Sequence, residues 1–214
     1  MRKPYMIITG FGPFNGMIDN PTTHLLNWMS SMKAPLTQNY LILGTSTLTV
    51  SAQDVQEWLS TTLPGLLQGI SEDGDDPLLL VHFGVGAPSQ RCFKLECNAY
   101  NTANFRVQDE RGWAPQNERI DKSLPLNASI GTNMPLQDVL KDLRQQGFDV
   151  ELSVDPGRFV CNYLYWSSLS ASLARRASSC VFIHVPTAEA CSEEQLQKFA
   201  MCALESIAAT CSAK

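Results

Sequence analysis

The feature of this sequence that most constrains its fold is the apolar segment PLLLVHF at residues 77–83. An almost unbroken apolar run of this length is typical of a central strand that is covered on both faces. Two further runs, YMIIT at 5–9 and SCVFIHVP at 179–186, have a similar character. A sheet buried on both sides needs helices on both sides, so the sequence favours an α/β fold with a mostly parallel sheet.

Helices are predicted between these strands from their capping residues. Asn20, which precedes a proline, is typical of a helix start, and Ser51 with Asp54 resembles a capping box. Gly147 is suited to end one helix, and Ser192 to begin the last one. The other predicted elements are strands at 40–50, 92–101 and 148–152 and helices at 136–146 and 160–176. Strand and helix alternate along the chain, so we expect one domain over 1–214.

Composition argues against several classes of function. The net charge of −5 comes from 16 basic and 21 acidic residues without a run of like charge, so neither nucleic acid nor a membrane surface is an expected partner. The apolar stretch near the N-terminus is too short for a signal segment, so we expect a cytoplasmic protein. Seven cysteines without a CxxC pair argue against a disulfide framework and a structural zinc site. A monomer and a homo-oligomer both remain open.

Three polar residues are candidates for chemistry at the sheet edge where strands end. Cys161 follows a Pro-Gly turn near a helix start, His184 ends the apolar run VFI, and Glu96 is an acid in an alternating strand. A thiol nucleophile needs a base, and the base needs an acceptor that orients it, so these residue types could form a triad. Cys161 could instead be a core residue, and His184 a satisfied histidine at a strand end. Glu96 could instead be solvated or pair with Lys94 or Arg91.

The other polar and aromatic candidates are weaker. His82 lies inside an apolar run and is predicted to be a core histidine, while His24 is expected to cap or pack on the first helix. The loop GFGPFNG lacks the GxGxxG spacing and the GK[ST] ending of phosphate-binding loops, so nucleotide binding is not expected. Its aromatic residues Phe11 and Phe14 either mark a binding surface or tuck under the sheet. The long irregular stretch at 102–135 is expected to lie near the substrate.

Five segments in order along the chain carry a family resemblance. They are TGFGPFNGMIDNPT, HFGVG, FKLECNAYN, RFVCNYLYW and VFIHVP, at 9–22, 82–86, 93–101, 158–166 and 181–186. Together they resemble the pyroglutamyl peptidase I family of cysteine peptidases, over about residues 5–186. The resemblance implies a three-layer α/β/α sandwich of the phosphorylase/hydrolase-like kind, built around a mostly parallel twisted sheet.

The resemblance also implies catalytic roles. Cys161 would be the nucleophile, His184 the general base and later the acid, and Glu96 the residue that orients the imidazole. Arg106 matches an arginine near the oxyanion site, where the backbone N–H of Cys161 would be the other donor. No metal and no organic cofactor are implied.

The substrates implied by the resemblance are peptides with an N-terminal pyroglutamyl residue, cleaved after that residue through a thioester. A pyroglutamyl ring is a flat, uncharged lactam, so its pocket needs apolar walls and a few amide partners. The residues that match this pocket are Phe11, Phe14, Asn20, Phe159 and Val160. Asn15 stands where the family commonly has glycine.

Two other functions are compatible with the same architecture. The first is a catalytically silent protein that binds blocked peptide N-termini, which the presence of Cys, His and Glu together argues against. The second is a nucleoside phosphorylase-like transferase, which would need a phosphate site built from basic residues and glycine-rich turns. Phosphate dependence of turnover would separate this transferase from a hydrolase.

Overall fold

The computed structural model describes residues 3–31, 39–70, 77–173 and 178–212. The strands in these ranges are β1 (Tyr5–Phe11), β2 (Leu41–Leu48), β3 (Leu78–Val85), β4 (Phe93–Glu96), β5 (Asn98–Tyr100), β6 (Ser129–Gly131), β7 (Val150–Ser153) and β8 (Ser178–Val185). The helices are α1 (Pro21–Ser31), α2 (Ala52–Glu57), α3 (Leu63–Leu66), α4 (Leu136–Gln145), α5 (Val160–Leu173) and α6 (Glu193–Ser212). A π-helical turn at Trp58–Thr62 joins α2 to α3.

Six strands of the described ranges form one sheet in the order β2-β1-β3-β8-β4-β7. Neighbouring strands are parallel except for β4 and β8, which are antiparallel. The central strands β3 and β8 are buried along nearly their whole length. This confirms the mostly parallel sheet that the apolar runs predict. The short strands β5 and β6 pair with each other in a second sheet.

Two hydrophobic cores lie on opposite faces of the main sheet. Successive residues of a strand point to opposite faces, so Leu79 and Val81 of β3 join one core, while Leu78 and Leu80 join the other. Side chains of α1, α4 and α6 complete the first core, and those of α2, α3 and α5 complete the second. The sheet thus lies between two helical layers, as the resemblance implied.

The single strand predicted at 92–101 is wrong, because the chain leaves the main sheet at Cys97. β4 ends at Glu96, and β5 pairs with β6 instead. The N–H of Cys97 donates to the carbonyl of Ser153 on β7 at 2.7 Å, whereas its carbonyl accepts from Thr132, just after β6, at 3.0 Å. Cys97 therefore passes the chain from one sheet to the other. Alternating apolar residues indicate extended backbone but do not reveal a change of partner.

Capping contacts confirm the predicted helix starts. The Asn20 side chain accepts the N–H of the residue two positions later at 3.0 Å. The hydroxyls of Ser51 and Ser192 each accept the N–H three positions later, at 3.3 and 3.2 Å. After α4, Gly147 has φ 87°, the left-handed conformation with which many helices end.

The helix that carries Cys161 begins at Val160, as predicted. Its predicted last residues, 174–176, lie outside the described residues. In the part of the chain that the structure describes, no helix has both the length and the apolar character needed to cross a membrane.

Candidate active site

Cys161 lies in the first turn of α5, against the end of the central strand β3. It is the second residue of the helix, and a Cβ placed on Gly84 would be 3.3 Å from its Sγ. The same Cβ would be 2.7 Å from the ring of Phe182. Because real Cβ atoms essentially never come this close, residue 84 has to be glycine. Gly84 therefore gives the thiol its place beside the central strands.

His184 and Glu96 form a buried hydrogen-bonded pair. The His184 Nδ1 and Glu96 Oε1 atoms are 2.7 Å apart, and the two side chains are 9% and 1% exposed. Since Nδ1 is engaged by the carboxylate, Nε2 is the ring nitrogen that remains for Cys161. This is the order of contacts that an acid–histidine–nucleophile triad requires.

The antiparallel direction of β4 places Glu96 beneath His184. In the register of the two strands, Glu96 lies opposite Phe182, while His184 lies opposite Lys94. Glu96 is therefore two residues deeper in the sheet than His184, which corrects the expectation that all three residues meet at the strand ends. The carboxylate reaches the ring from the protein interior, and this explains its near-complete burial.

The charge of His184 follows from its neighbours. Burial disfavours the imidazolium, but hydrogen bonds and charges from Cys161 and Glu96 outweigh burial and raise the pKa of His184 to about 9. The ring is therefore protonated at neutral pH. A protonated ring beside a cysteine can donate its proton to a departing amine.

Gln90 and Asn162 hold the backbone around these three residues, and the sequence analysis missed both. Nε2 of Gln90 donates to the carbonyl of His184 at 3.0 Å. Asn162 is completely buried. Its Oδ1 accepts the N–H of Tyr100, and its Nδ2 donates to the carbonyls of Tyr100 and Thr102, at 2.9 to 3.0 Å. An amide side chain in the first turn of an apolar helix was the available sign for Asn162, whereas nothing in the sequence distinguishes Gln90.

An aromatic group includes Phe159, which lies two residues before Cys161 in the chain. The rings of Phe14 and Phe159 are 5.0 Å apart between centroids, and Phe159 is 4.6 Å from Phe105, which sequence analysis missed. Phe14 and Phe159 are half-buried, so they remain accessible to a ligand. The other predicted pocket residues, Phe11 and Val160, are buried in the core beneath.

Asn20 and Asn15 shape the loop that presents Phe14. Nδ2 of Asn20 donates to the carbonyl of Gly12 at 2.8 Å, which ties the loop to the start of α1. Asn15 has φ 46° and is followed by Gly16 with φ 82°. Asn-Gly with both residues at positive φ is the preferred sequence of a tight hairpin turn. Asparagine tolerates the left-handed backbone better than most residues other than glycine, so it suits this position.

The irregular segment after β5 is anchored by one carboxylate. Asp109 is 5% exposed. Its Oδ2 accepts the N–H of Ala52 at 3.0 Å, and its Oδ1 accepts those of Arg111 and Trp113 at 3.0 and 2.9 Å. Phe105 packs edge-on against Trp113, at 5.1 Å between ring centroids. Asp109 thus fixes the segment that backs the aromatic group.

We expect Asp109→Ala to loosen the segment that backs the aromatic group and to destabilise the fold. The change leaves the N–H of the buried residue Ala52 without an acceptor and removes the acceptor of two N–H groups on exposed residues, which should lower the free energy of unfolding by about 1 to 2 kcal/mol. KM should rise more than kcat falls, because the aromatic wall moves while Cys161 stays in place. Urea unfolding and steady-state kinetics measure the two effects.

The matched control for this prediction is Arg111→Gln. It removes only the ion pair between Arg111 and Asp54, at 2.9 Å, in which the arginine side chain is 56% exposed. Because the guanidinium of this pair faces solvent, its loss should lower stability less than the loss of the Asp109 carboxylate. Equal losses in both variants would show that the segment is not held by Asp109.

Arg106 is the predicted site residue that the structure does not tie to the others. Its side chain is exposed. Within the described residues it makes no hydrogen bond or ion pair. Its place near an oxyanion therefore stays a prediction.

The two remaining histidines lie outside this group. His82 is fully buried, with its Nδ1 2.7 Å from the hydroxyl of Thr9, and burial lowers its pKa to about 3. It is therefore a neutral core histidine, as predicted. His24 lies on α1 between Asp19 and Glu193. Among the described residues, no cluster of three or more His, Cys, Asp or Glu side chains could hold a metal ion.

Sequence comparison identifies the family to which these features belong. The family model of pyroglutamyl peptidases matches residues 5–213. A pyrrolidone-carboxylate peptidase of Vibrio vulnificus is 30% identical over 187 residues, which cover 87% of this chain and 79% of that protein. The corresponding protein of Thermococcus litoralis is 29% identical over 187 residues, which cover 87% of this chain and 77% of that protein.

Solved structures share the fold. The pyrrolidone carboxyl peptidase from Thermococcus litoralis has a TM-score of 0.80 at 24% identity, covering 95% of this chain and 93% of that chain. The enzyme from Pyrococcus furiosus has a TM-score of 0.82 at 23% identity, covering 97% and 99%. Together with the family match, the α/β/α fold and the Cys, His and Glu arrangement lead to one conclusion: this chain belongs to the pyroglutamyl peptidase family of cysteine peptidases.

Proposed function

We propose that this protein hydrolyses the amide bond that follows an N-terminal pyroglutamyl residue, with Cys161 as nucleophile, His184 as proton carrier and Glu96 as the group that orients the ring. The observation that carries the proposal is the buried hydrogen bond between His184 and Glu96, which leaves the other ring nitrogen for Cys161. The half-buried rings of Phe14 and Phe159, the second of which lies two residues before the cysteine, are the proposed recognition surface.

In the first step the Cys161 thiolate attacks the carbonyl carbon of the pyroglutamyl residue. The carbonyl electrons move to oxygen, and the backbone N–H of Cys161 and the guanidinium of Arg106 are the proposed donors to this oxyanion. As the oxyanion collapses, the carbon–nitrogen bond breaks and His184 gives its proton to the amine. The products are a thioester on Cys161 and the shortened peptide.

In the second step water replaces the thiolate. His184, now neutral, takes a proton from the water while its oxygen attacks the thioester carbon. Collapse of the second oxyanion breaks the carbon–sulfur bond, releases pyroglutamate and restores the thiolate and the imidazolium. Glu96 keeps the ring in one tautomer throughout, because its carboxylate holds Nδ1–H.

The proposed ring pocket consists of Phe14 and Phe159 as its walls, with Phe11, Val160 and Asn20 behind them. Apolar walls suit the flat faces of a lactam, and backbone amide groups can pair with its N–H and C=O groups. A free α-amino group would bring an unpaired positive charge to these walls, which is costly. The pocket should therefore reject unblocked N-termini.

We also propose that the protein works in the cytoplasm and without a cofactor. The proposed nucleophile Cys161 is a free thiol, and a catalytic thiol keeps its activity in a reducing compartment. The two proposed steps move only protons and acyl groups, so they need no metal ion or redox partner.

Hydrolysis of a fluorogenic pyroglutamyl amide tests the proposed function. We expect the wild-type protein to release the fluorescent amine in reducing buffer with a metal chelator, and not to release it from the matching prolyl amide, whose ring carries a charged amine. Added phosphate should leave the rate unchanged. Failure to cleave either amide would favour the catalytically silent binding protein, and a strict requirement for phosphate would favour the transferase.

A further inference from the structure

The carboxylate of Glu96 has few contacts of its own to fix it. Oε1 is bonded to His184, but Oε2 is buried and has no hydrogen-bond partner among the described residues. A carboxylate held by one hydrogen bond takes its position from the backbone that carries it.

Tyr165 contacts this backbone from the helix of the nucleophile. Its hydroxyl donates to the backbone carbonyl of Glu96 at 2.7 Å, and its side chain is completely buried. Tyr165 follows Cys161 by one helical turn, so both side chains lie on the same face of α5. One residue thus meets His184, and the other meets Glu96.

The spacing of Cys161 and Tyr165 along the helix matches the spacing of the two residues that they contact in the sheet. One turn of α-helix advances about 5.4 Å, and two residues of strand advance about 6.6 Å. Cys161 and Tyr165 are therefore separated along α5 by nearly the same distance as His184 and Glu96 are separated across β8 and β4. The ring of Tyr165 also packs at 5.9 Å from Phe182, which in turn packs at 4.8 Å from His184.

We propose that Tyr165 is a positioning residue: its hydroxyl fixes the backbone of Glu96 relative to α5, so that His184 bridges Glu96 and Cys161. The inference rests on the proposed function for its effect on turnover, but the geometry concerns the triad itself. Burial keeps the pKa of Tyr165 well above 10, so the hydroxyl remains a donor at every working pH.

Tyr165→Phe tests the proposal, with Tyr163→Phe as the matched control on the same helix. The first change removes the hydroxyl, which meets Glu96 and also Thr132, and keeps the ring that packs on Phe182. The second removes a half-buried hydroxyl that, among the residues the structure describes, accepts only from Gln56, at 3.3 Å. We expect kcat to fall about tenfold in Tyr165→Phe, with KM and inhibition by 2-pyrrolidone unchanged, and no change in Tyr163→Phe.

A second readout does not depend on the substrate. Trypsin should release residues 159–175 as one peptide whose only cysteine is Cys161, so mass spectrometry can follow alkylation of this thiol by iodoacetamide. We expect alkylation of native Tyr165→Phe to be several times slower than that of Tyr163→Phe. A displaced Glu96 stabilises the protonated ring of His184 less well, and the positive charge that favours the reactive thiolate is then partly lost.

The outcomes separate the two ideas. Slower alkylation in Tyr165→Phe would support the positioning role even if the wild type cleaved no pyroglutamyl amide. Equal alkylation and equal kcat in both variants would overturn it. A rise in KM and in the 2-pyrrolidone inhibition constant together with a lower melting temperature would also overturn it, since general loosening of the fold would then account for the loss.

Discussion

Cys161→Ala is expected to lower kcat for a pyroglutamyl amide by about 10⁴-fold or more. The sulfur is the atom that forms the thioester in the proposed mechanism, and alanine has nothing to replace it. The methyl group occupies the same place beside Gly84, so the fold and the ring pocket should persist. Steady-state release of the fluorescent amine measures the loss. Binding of 2-pyrrolidone to Cys161→Ala, compared with its inhibition constant for the wild type, checks that the ring pocket persists.

Cys202→Ala is the matched control for this variant. Cys202 lies on α6 and packs against the core on the opposite face of the sheet. Its loss should leave kcat within about twofold of the wild type. Undiminished activity in Cys161→Ala would leave the substrate correct and the nucleophile wrong.

Glu96→Gln is expected to lower kcat by about 10²- to 10⁴-fold. The amide keeps the size of the carboxylate but removes its negative charge, so the imidazolium loses its buried partner. The side-chain amide can also turn its NH₂ group instead of its oxygen toward Nδ1, and this permits the wrong tautomer of His184. Circular dichroism and the melting temperature check that the variant is folded before the rates are compared.

The same substitution should shift the alkaline limb of the pH profile. In the wild type, His184 has a pKa raised to about 9, so it can donate a proton to the leaving amine below that pH and loses this ability above it. The rate of acylation, measured as kcat/KM, should therefore fall as pH rises through about 9. In Glu96→Gln the fall should begin at lower pH, because one of the groups that raises the pKa is gone. An unchanged limb would mean that Glu96 does not set the charge of His184.

The fold could be predicted largely from buried strands. PLLLVHF and VFIHVP are apolar on both sides of the pleat, and only a sheet between two helical layers satisfies them. The triad residues were found through motif resemblance, since a lone cysteine, histidine and glutamate have ordinary structural explanations. Their depth in the sheet was not found, because the direction of β4 depends on distant strands.

The supporting contacts could not be predicted, for a common reason. Tyr165, Gln90 and Asp109 act on backbone atoms far away along the chain. A side chain that bonds to a backbone group can find that group on any residue, so no residue type marks the partner. Such contacts become visible only when the fold is known.

The position of β8 in the sheet has a consequence for synthesis of the chain. β8 follows the other described strands in chain order and therefore leaves the ribosome after them, yet it lies between β3 and β4 in the sheet. Until residues 178–185 emerge, β3 presents an unpaired hydrophobic edge, and such edges pair readily with other chains. Because His184 lies on this strand, we expect a chain that stops before residue 178 to lack both the proposed general base and the strand that covers the edge of β3.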